Sequence, residues 1–262
     1  MLKSVDRVFA ALILLAALGA LVVYVVRLGR SSGGYSRTDA AGGSALLGRR
    51  LLETGYLILQ PIGQWLAARG VTANMVSWTS LLLGGVAGAL LAVGLFGTAA
   101  FVASISGLLD TVDGMVARFS GSSSDAGEVL DAAVDRYTEF FFLGGLAIHY
   151  RDHPLLVALT LAALIGSFMV SYATVKAEAL GVDPPRGLMR RQERAVYLAL
   201  GAIFTGLLSP ALERRLHLPE VQLPMLIALV VVAALANLSA VLRHRALISI
   251  LRRRGPGSSP LA

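Results

Sequence analysis

Four aspartates, Asp110, Asp113, Asp131 and Asp135, stand in two close pairs within an otherwise apolar stretch. The first pair is spaced i, i+3 and the second i, i+4, so on helices each pair shares one face. Membrane-grade sequence flanks them, AAFVASISGLL before and YTEFFFLGGLAI after. An acid near a bilayer centre costs about 2.5–3.5 kcal/mol on insertion scales, so four uncompensated ones would cost roughly 10 kcal/mol. Counter-charge is therefore expected. Two divalent cations would balance four carboxylates, and hard oxygen ligands suit Mg2+, Mn2+ or Ca2+. The chemistry such a set serves is two-metal catalysis, with a carboxylate in hydrogen-bond reach to take a proton.

The elements that must position these acids are two helices joined by a turn centred near Ser122. Asp113 and Asp131 lie equally far from that turn, and Asp110 and Asp135 lie about one turn deeper. Antiparallel helices would then face the acids at two levels, separated by roughly 4–6 Å at a rise of about 1.5 Å per residue. That separation suits two ions about 3.5–4 Å apart.

The chain of 262 residues is 56% hydrophobic and 15% charged, and its mean hydropathy is +0.72. This predicts an all-α, polytopic integral membrane protein. The net charge of +7 fits cytoplasmic loops and anionic membrane lipids, not nucleic acid. The chain has no cysteine, which excludes disulfides, thiolate ligands and cysteine nucleophiles. The four histidines show no ligand spacing near the acids.

Residues 1–28 read as an N-terminal membrane anchor and 29–45 as a flexible Gly/Ser-rich linker. Residues 46–246 read as one membrane domain and 247–262 as a basic disordered tail. The domain opens on an amphipathic helix in the membrane interface, near residues 46–68, which Pro61 is expected to bend or break. Six core spans follow, near 75–96, 98–118, 127–150, 154–180, 194–212 and 223–242; the anchor makes a seventh. Lysine and arginine gather on the side nearest the aspartates, so the site is predicted to face the cytoplasm across the cell's inner membrane.

The full pattern is D-x2-D-G-x2-A-R-x8-G-x3-D-x3-D, filled at every fixed position from Asp110 to Asp135. It resembles the signature of the CDP-alcohol phosphotransferase family of integral membrane enzymes. The resemblance implies transfer of a phosphatidyl or related group from a CDP-lipid donor to an acceptor hydroxyl, with release of CMP, supported by Mg2+ or Mn2+. It implies that Asp110, Asp113 and Asp131 are metal ligands. Asp135 would be the general base and a possible ligand of the second metal. Asp113, Gly114, Ala117, Arg118 and Gly127 would belong to the CDP-binding part. Gly70-Val-Thr-Ala-Asn74 is similar to the family's Thr-Pro-Asn sequence, with Ala73 in place of proline, and adds Asn74 to the CDP-binding set. Members of the family often pair as homodimers.

The run Ser171-Tyr172-x-x-x-Lys176-Ala-Glu178 and the basic loop after it resemble the phosphatidylinositol-phosphate synthase branch. By that resemblance Lys176, Arg186, Arg190, Arg191 and Arg194 would bind a phosphorylated acceptor, inositol phosphate foremost. Cations beside an apolar cavity suit such an acceptor. Phosphatidylglycerophosphate synthase and choline/ethanolamine-type phosphotransferase are the alternatives within the family. A divalent-cation transporter is the rival from another class, since intramembrane acids alone would support it.

Overall fold

The computed structural model describes residues 2–28, 48–185, 187, 189–216 and 222–254. They form helices α1 (Leu2–Leu28), α2 (Gly48–Ala68), α3 (Ala73–Ala92), α4 (Phe96–Phe119), α5 (Asp125–His149), α6 (Pro154–Ala179), α7 (Arg191–Leu216) and α8 (Leu223–Arg254), with no strand among the described residues. The linker expected at 29–45 lies outside them.

Local signals fix several helix starts. The Thr72 hydroxyl accepts from Met75 N at 3.3 Å and caps α3. Ser124 accepts from Gly127 N at 3.2 Å and caps α5, whose first turn carries Asp125 and Glu128 against the helix dipole. Pro154 opens α6, where its missing N–H costs nothing. Glu193 reaches back to accept from Arg190 N at 2.9 Å at the start of α7, half of a capping box. Between α4 and α5 the chain turns through Gly121 at φ 66°, a conformation that favours glycine.

The helices carrying the aspartates, α4 and α5, are not closely packed on each other; both pack along α3. Against α4, Ser80 Oγ donates to Ser106 O at 2.9 Å and Ser106 Oγ donates to Ser80 O at 2.8 Å, all within the buried interface. Against α5, small residues let the backbones meet. A Cβ added to Gly84 would fall 2.9 Å from Thr138 Cγ2, and one on Gly88 or Gly145 would collide with backbone of the facing helix. Helix α3 is thus the strut that holds α4 and α5 at a fixed spacing.

Away from the aspartates the bundle closes on an apolar core that draws on α3 to α8, including Leu91, Phe96, Leu143, Tyr150, Leu229 and Met225. Helices α6 and α8 are joined by Asn237, whose Nδ2 donates to Ala162 O at 2.7 Å and to Ala233 O at 2.8 Å. Helix α1 packs on α4 and α7. Its Asp6 is buried and accepts from Thr98 N at 2.8 Å and Thr98 Oγ1 at 2.9 Å, so one helix neutralises the N-terminus of another.

Five helices among the described residues are long and apolar enough to cross a membrane: Leu2–Val25, Ala73–Ala92, Phe96–Phe119, Pro154–Ala179 and Leu223–Arg254. The protein is a multi-pass membrane protein. Helix α5, another expected span, carries Asp131, Asp135, Arg136 and Glu139, which lower its hydropathy, whereas the sequence of α7 is uncharged from Ala195 to Leu212 after its charged first turn.

Two expectations are corrected. Pro61 does not break α2, which runs continuously from Gly48 to Ala68; proline there removes one backbone hydrogen bond, and packing of Gly63 against Met115 and Phe119 of α4 holds the segment in place. The last helix runs on to Arg254, so residues 247–254 are helical and not the start of a disordered tail. Arg254 donates to Leu180 O at 2.9 Å and Gly181 O at 2.6 Å, tying the end of α8 to the end of α6. Residues 255–262 lie outside the described part.

Candidate active site

Asp110 and Asp113 project from the last turns of α4, and Asp131 and Asp135 from the first turns of α5. One carboxylate oxygen each from Asp110, Asp113 and Asp131 lies within 4.8 Å of the other two, an arrangement that could hold a metal ion. Asp113 is buried, and Ser77 Oγ of α3 donates to its Oδ2 at 2.5 Å. The strut therefore also orients a side chain of the trio. Asp110 Oδ1 is buried without a hydrogen-bond partner, an expensive state for an acid unless a cation faces it. This donor set fits a hard divalent ion: oxygen ligands only, more than one carboxylate, one of them unsatisfied.

Asp135, the fourth acid, is engaged differently. Arg191, the first residue of α7, places Nη1 3.0 Å from Asp110 Oδ2 and Nη2 2.5 Å from Asp135 Oδ1. One guanidinium thus spans the two inner acids of different helices. Arg191 was expected at the acceptor; the structure puts it on the acids, because α7 starts beside the mouth of the α4–α5 pair.

Arg194 is likewise corrected. It is fully buried, with Nε donating to Glu139 Oε1 at 2.7 Å and Nη2 to Glu139 Oε2 at 3.1 Å, while Nη1 reaches Met189 O at 3.3 Å. Its donors are committed to a paired fork across α5 and α7. Arg186 lies outside the described residues. Lys176 is exposed in the last turn of α6 on a different face from Thr174, which points to the interior. Arg190 is partly buried at the start of α7.

Among the CDP-binding candidates, Gly114 and Ala117 are partly buried beside the acids, and Arg118 is exposed near the turn. The amide of Gly127 is taken by the Ser124 cap. Asn74 is exposed one helical turn before Ser77 on α3. It does not cap the helix; Thr72 does.

Sequence reasoning missed Ser77 and Arg243. Ser77 is one of many small polar residues in the spans, and its role follows only from α3 lying between the two acidic helices. Arg243 is one of the arginines that gather on the side nearest the aspartates. It is buried, with Nη1 donating to Thr174 Oγ1 at 2.9 Å and its Nε without a partner. Arg190, Arg194 and Glu193 are the charges around it. Gly187 presses its backbone against Arg243 and Ser239, where a Cβ would not fit. Ser239 Oγ is also buried without a partner.

Residues 70–243 match the sequence model of the CDP-alcohol phosphatidyltransferase family. A phosphatidylinositol phosphate synthase of Corynebacterium glutamicum is 31% identical over 167 residues, which cover 62% of this chain and 76% of that protein. The crystal structure of Mycobacterium tuberculosis phosphatidylinositol phosphate synthase in complex with manganese and citrate aligns with a TM-score of 0.65 at 25% identity, covering 76% of this chain and 90% of that one. The structure of the Mycobacterium tuberculosis enzyme with CDP-DAG bound gives 0.63 at 27% identity, over 77% and 96% of the two chains. Helices α1 and α2 precede the matched residues.

Proposed function

The chain belongs to the CDP-alcohol phosphatidyltransferase family, and from that membership we propose that it transfers the phosphatidyl group of CDP-diacylglycerol to a hydroxyl of inositol phosphate and releases CMP. The observation that carries this reading is the convergence of Asp110, Asp113 and Asp131 on one point between two membrane helices. The relatives with CDP-DAG or manganese bound support the donor and the metal.

Asp110, Asp113 and Asp131 would hold divalent ions, with Asp135 a further ligand or the base. When bound, Mg2+ or Mn2+ neutralises the diphosphate of the donor and polarises its phosphorus. Ser77 keeps Asp113 in its ligating rotamer. Asn74, Gly114, Ala117, Arg118 and Gly127 surround the nucleotide. The acceptor oxygen bonds to the phosphorus that carries the diacylglycerol. The bond from that phosphorus to the bridging oxygen breaks, the electrons leave with CMP, and the acceptor proton passes to Asp135.

The acceptor phosphate is held by Arg243 and Arg190, with Thr174 fixing the Arg243 fork. A buried guanidinium with an unused Nε suits a phosphate. The site opens to the cytoplasm, as the excess of arginine near the aspartate end supports. The apolar core that closes the other end of the bundle disfavours a cation-transport path.

Purified protein supplied with CDP-diacylglycerol and Mn2+ is tested against inositol phosphate, glycerol 3-phosphate, inositol, serine and choline. Release of CMP with inositol phosphate, lost in Arg243→Ala, supports the reading. A preference for glycerol 3-phosphate would reassign the acceptor. Uptake of Mn2+ by proteoliposomes with no CMP release would replace the enzyme with a transporter.

A further inference from the structure

Two arginines one helical turn apart on α7 meet two acids one helical turn apart on α5. Arg194 and Glu139 form the deeper rung, and Arg191 and Asp135 the outer one. The rungs differ in every respect that decides mobility. Arg194 is fully buried and held at three points, whereas the Arg191 side chain is 37% exposed. Arg191 also bridges to Asp110 Oδ2, on a residue of the metal trio, while Asp110 Oδ1 has no hydrogen-bond partner.

We propose that Arg191 is a placeholder cation, seated where Asp110 and Asp135 would share the second of two divalent ions, and that loading this second position displaces it. The inference rests on the metal-dependent reading of the site above. The first ion meets Asp110, Asp113 and Asp131, whose oxygens lie together. The second cannot use Asp135 while a guanidinium nitrogen sits on Asp135 Oδ1. Charge gives the same answer. With the guanidinium in place, four carboxylates and two divalent ions would leave the cluster net positive; with it withdrawn they balance. Asp135 can also act as a base only once Arg191 has left it. Arg191 therefore works as a positioning residue. It keeps the inner acids together before loading, then swings out at the mouth of the site, where anionic substrate groups gather.

The test uses full-length protein in detergent, stripped of metal and titrated with Mn2+, with free Mn2+ followed by electron paramagnetic resonance. Wild type should show two classes of site. Arg191→Gln should tighten both classes, and the weaker one more, by about tenfold, the scale of losing one nearby competing charge. In parallel, phenylglyoxal modification of wild type is mapped by mass spectrometry. Arg191 should react several-fold faster with Mn2+ saturating than without, and Arg194 should stay unmodified in both. The modification arm stands even where Arg191→Gln fails to fold. Modification of Arg191 that is unchanged or slowed by bound Mn2+, or a weaker class unaltered in Arg191→Gln, overturns the placeholder role and leaves the metal site intact. No Mn2+ bound by wild type would overturn the metal reading itself and this inference with it.

Discussion

Glu139 and Arg194 offer the sharpest test of what holds α5 to α7. The Arg194 side chain is 0% exposed and the Glu139 side chain 11% exposed, with two charge-assisted contacts at 2.7 and 3.1 Å. Glu139→Ala leaves a guanidinium buried with, among the described contacts, Met189 O alone facing it. Removing one partner of a buried ion pair costs about 3–5 kcal/mol, or roughly two to four orders of magnitude in the folding constant. Replacing both partners by apolar residues of similar size is often neutral or better. Glu139→Leu combined with Arg194→Met should therefore recover most of the loss of Glu139→Ala. Reversible unfolding of each variant in mixed micelles of lipid and denaturing detergent measures this. A single substitution within about 0.5 kcal/mol of wild type, the range of ordinary surface changes, would refute the reasoning. So would a double variant less stable than the single one.

Three further outcomes follow from particular contacts. Gly145→Val puts side-chain atoms into the backbone of α3 at Gly88; overpacking of about 1–3 kcal/mol or more should appear as a lowered melting temperature and reduced CMP release together. Ser77→Ala removes a hydrogen bond to a charged group, about 1.5–3 kcal/mol, and should lower both the melting temperature and, by about tenfold, the rate of CMP release in the folded protein; an unchanged rate would show that Asp113 needs no orientation from α3. Asp6→Ala should cost about 1–2 kcal/mol of stability, as for loss of a helix cap, while leaving CMP release in the folded protein unaltered. Loss of activity at constant stability would mean that α1 does more than brace α4.

The convergence of Asp110, Asp113 and Asp131 was legible because spacing alone carries it. Pairs at i, i+3 and i, i+4 on either side of a short polar turn can only face one another if the flanks are helices, and membrane-grade flanks leave little else. The strut was not legible. Gly84, Gly88 and Gly145 read equally well as packing against any neighbour, and only the assembled bundle shows that α3 meets both acidic helices. The basic loop misled for a related reason. Sequence spacing cannot say which arginine of Arg190, Arg191 and Arg194 points to which acid, because that depends on where α7 begins relative to α5. Glu139, four residues past Asp135, was the available hint that a second rung existed. Pro61 was read by its usual effect on a helix, but a helix packed along one side keeps its course after losing a single hydrogen bond. The terminal arginines looked like a solvated tail, while the carbonyls at the end of α6 give Arg254 a place to bind.

The account stands on acids from two membrane helices sharing divalent ions that act on a diphosphate. Its most direct measurement is CMP release from CDP-diacylglycerol by the purified protein, with inositol phosphate present, in Mn2+ and in chelator. The prediction is release only with metal, abolished by either Asp113→Asn on α4 or Asp131→Asn on α5. Release that persists in chelator, or that survives the loss of either carboxylate at the wild-type rate, would contradict it.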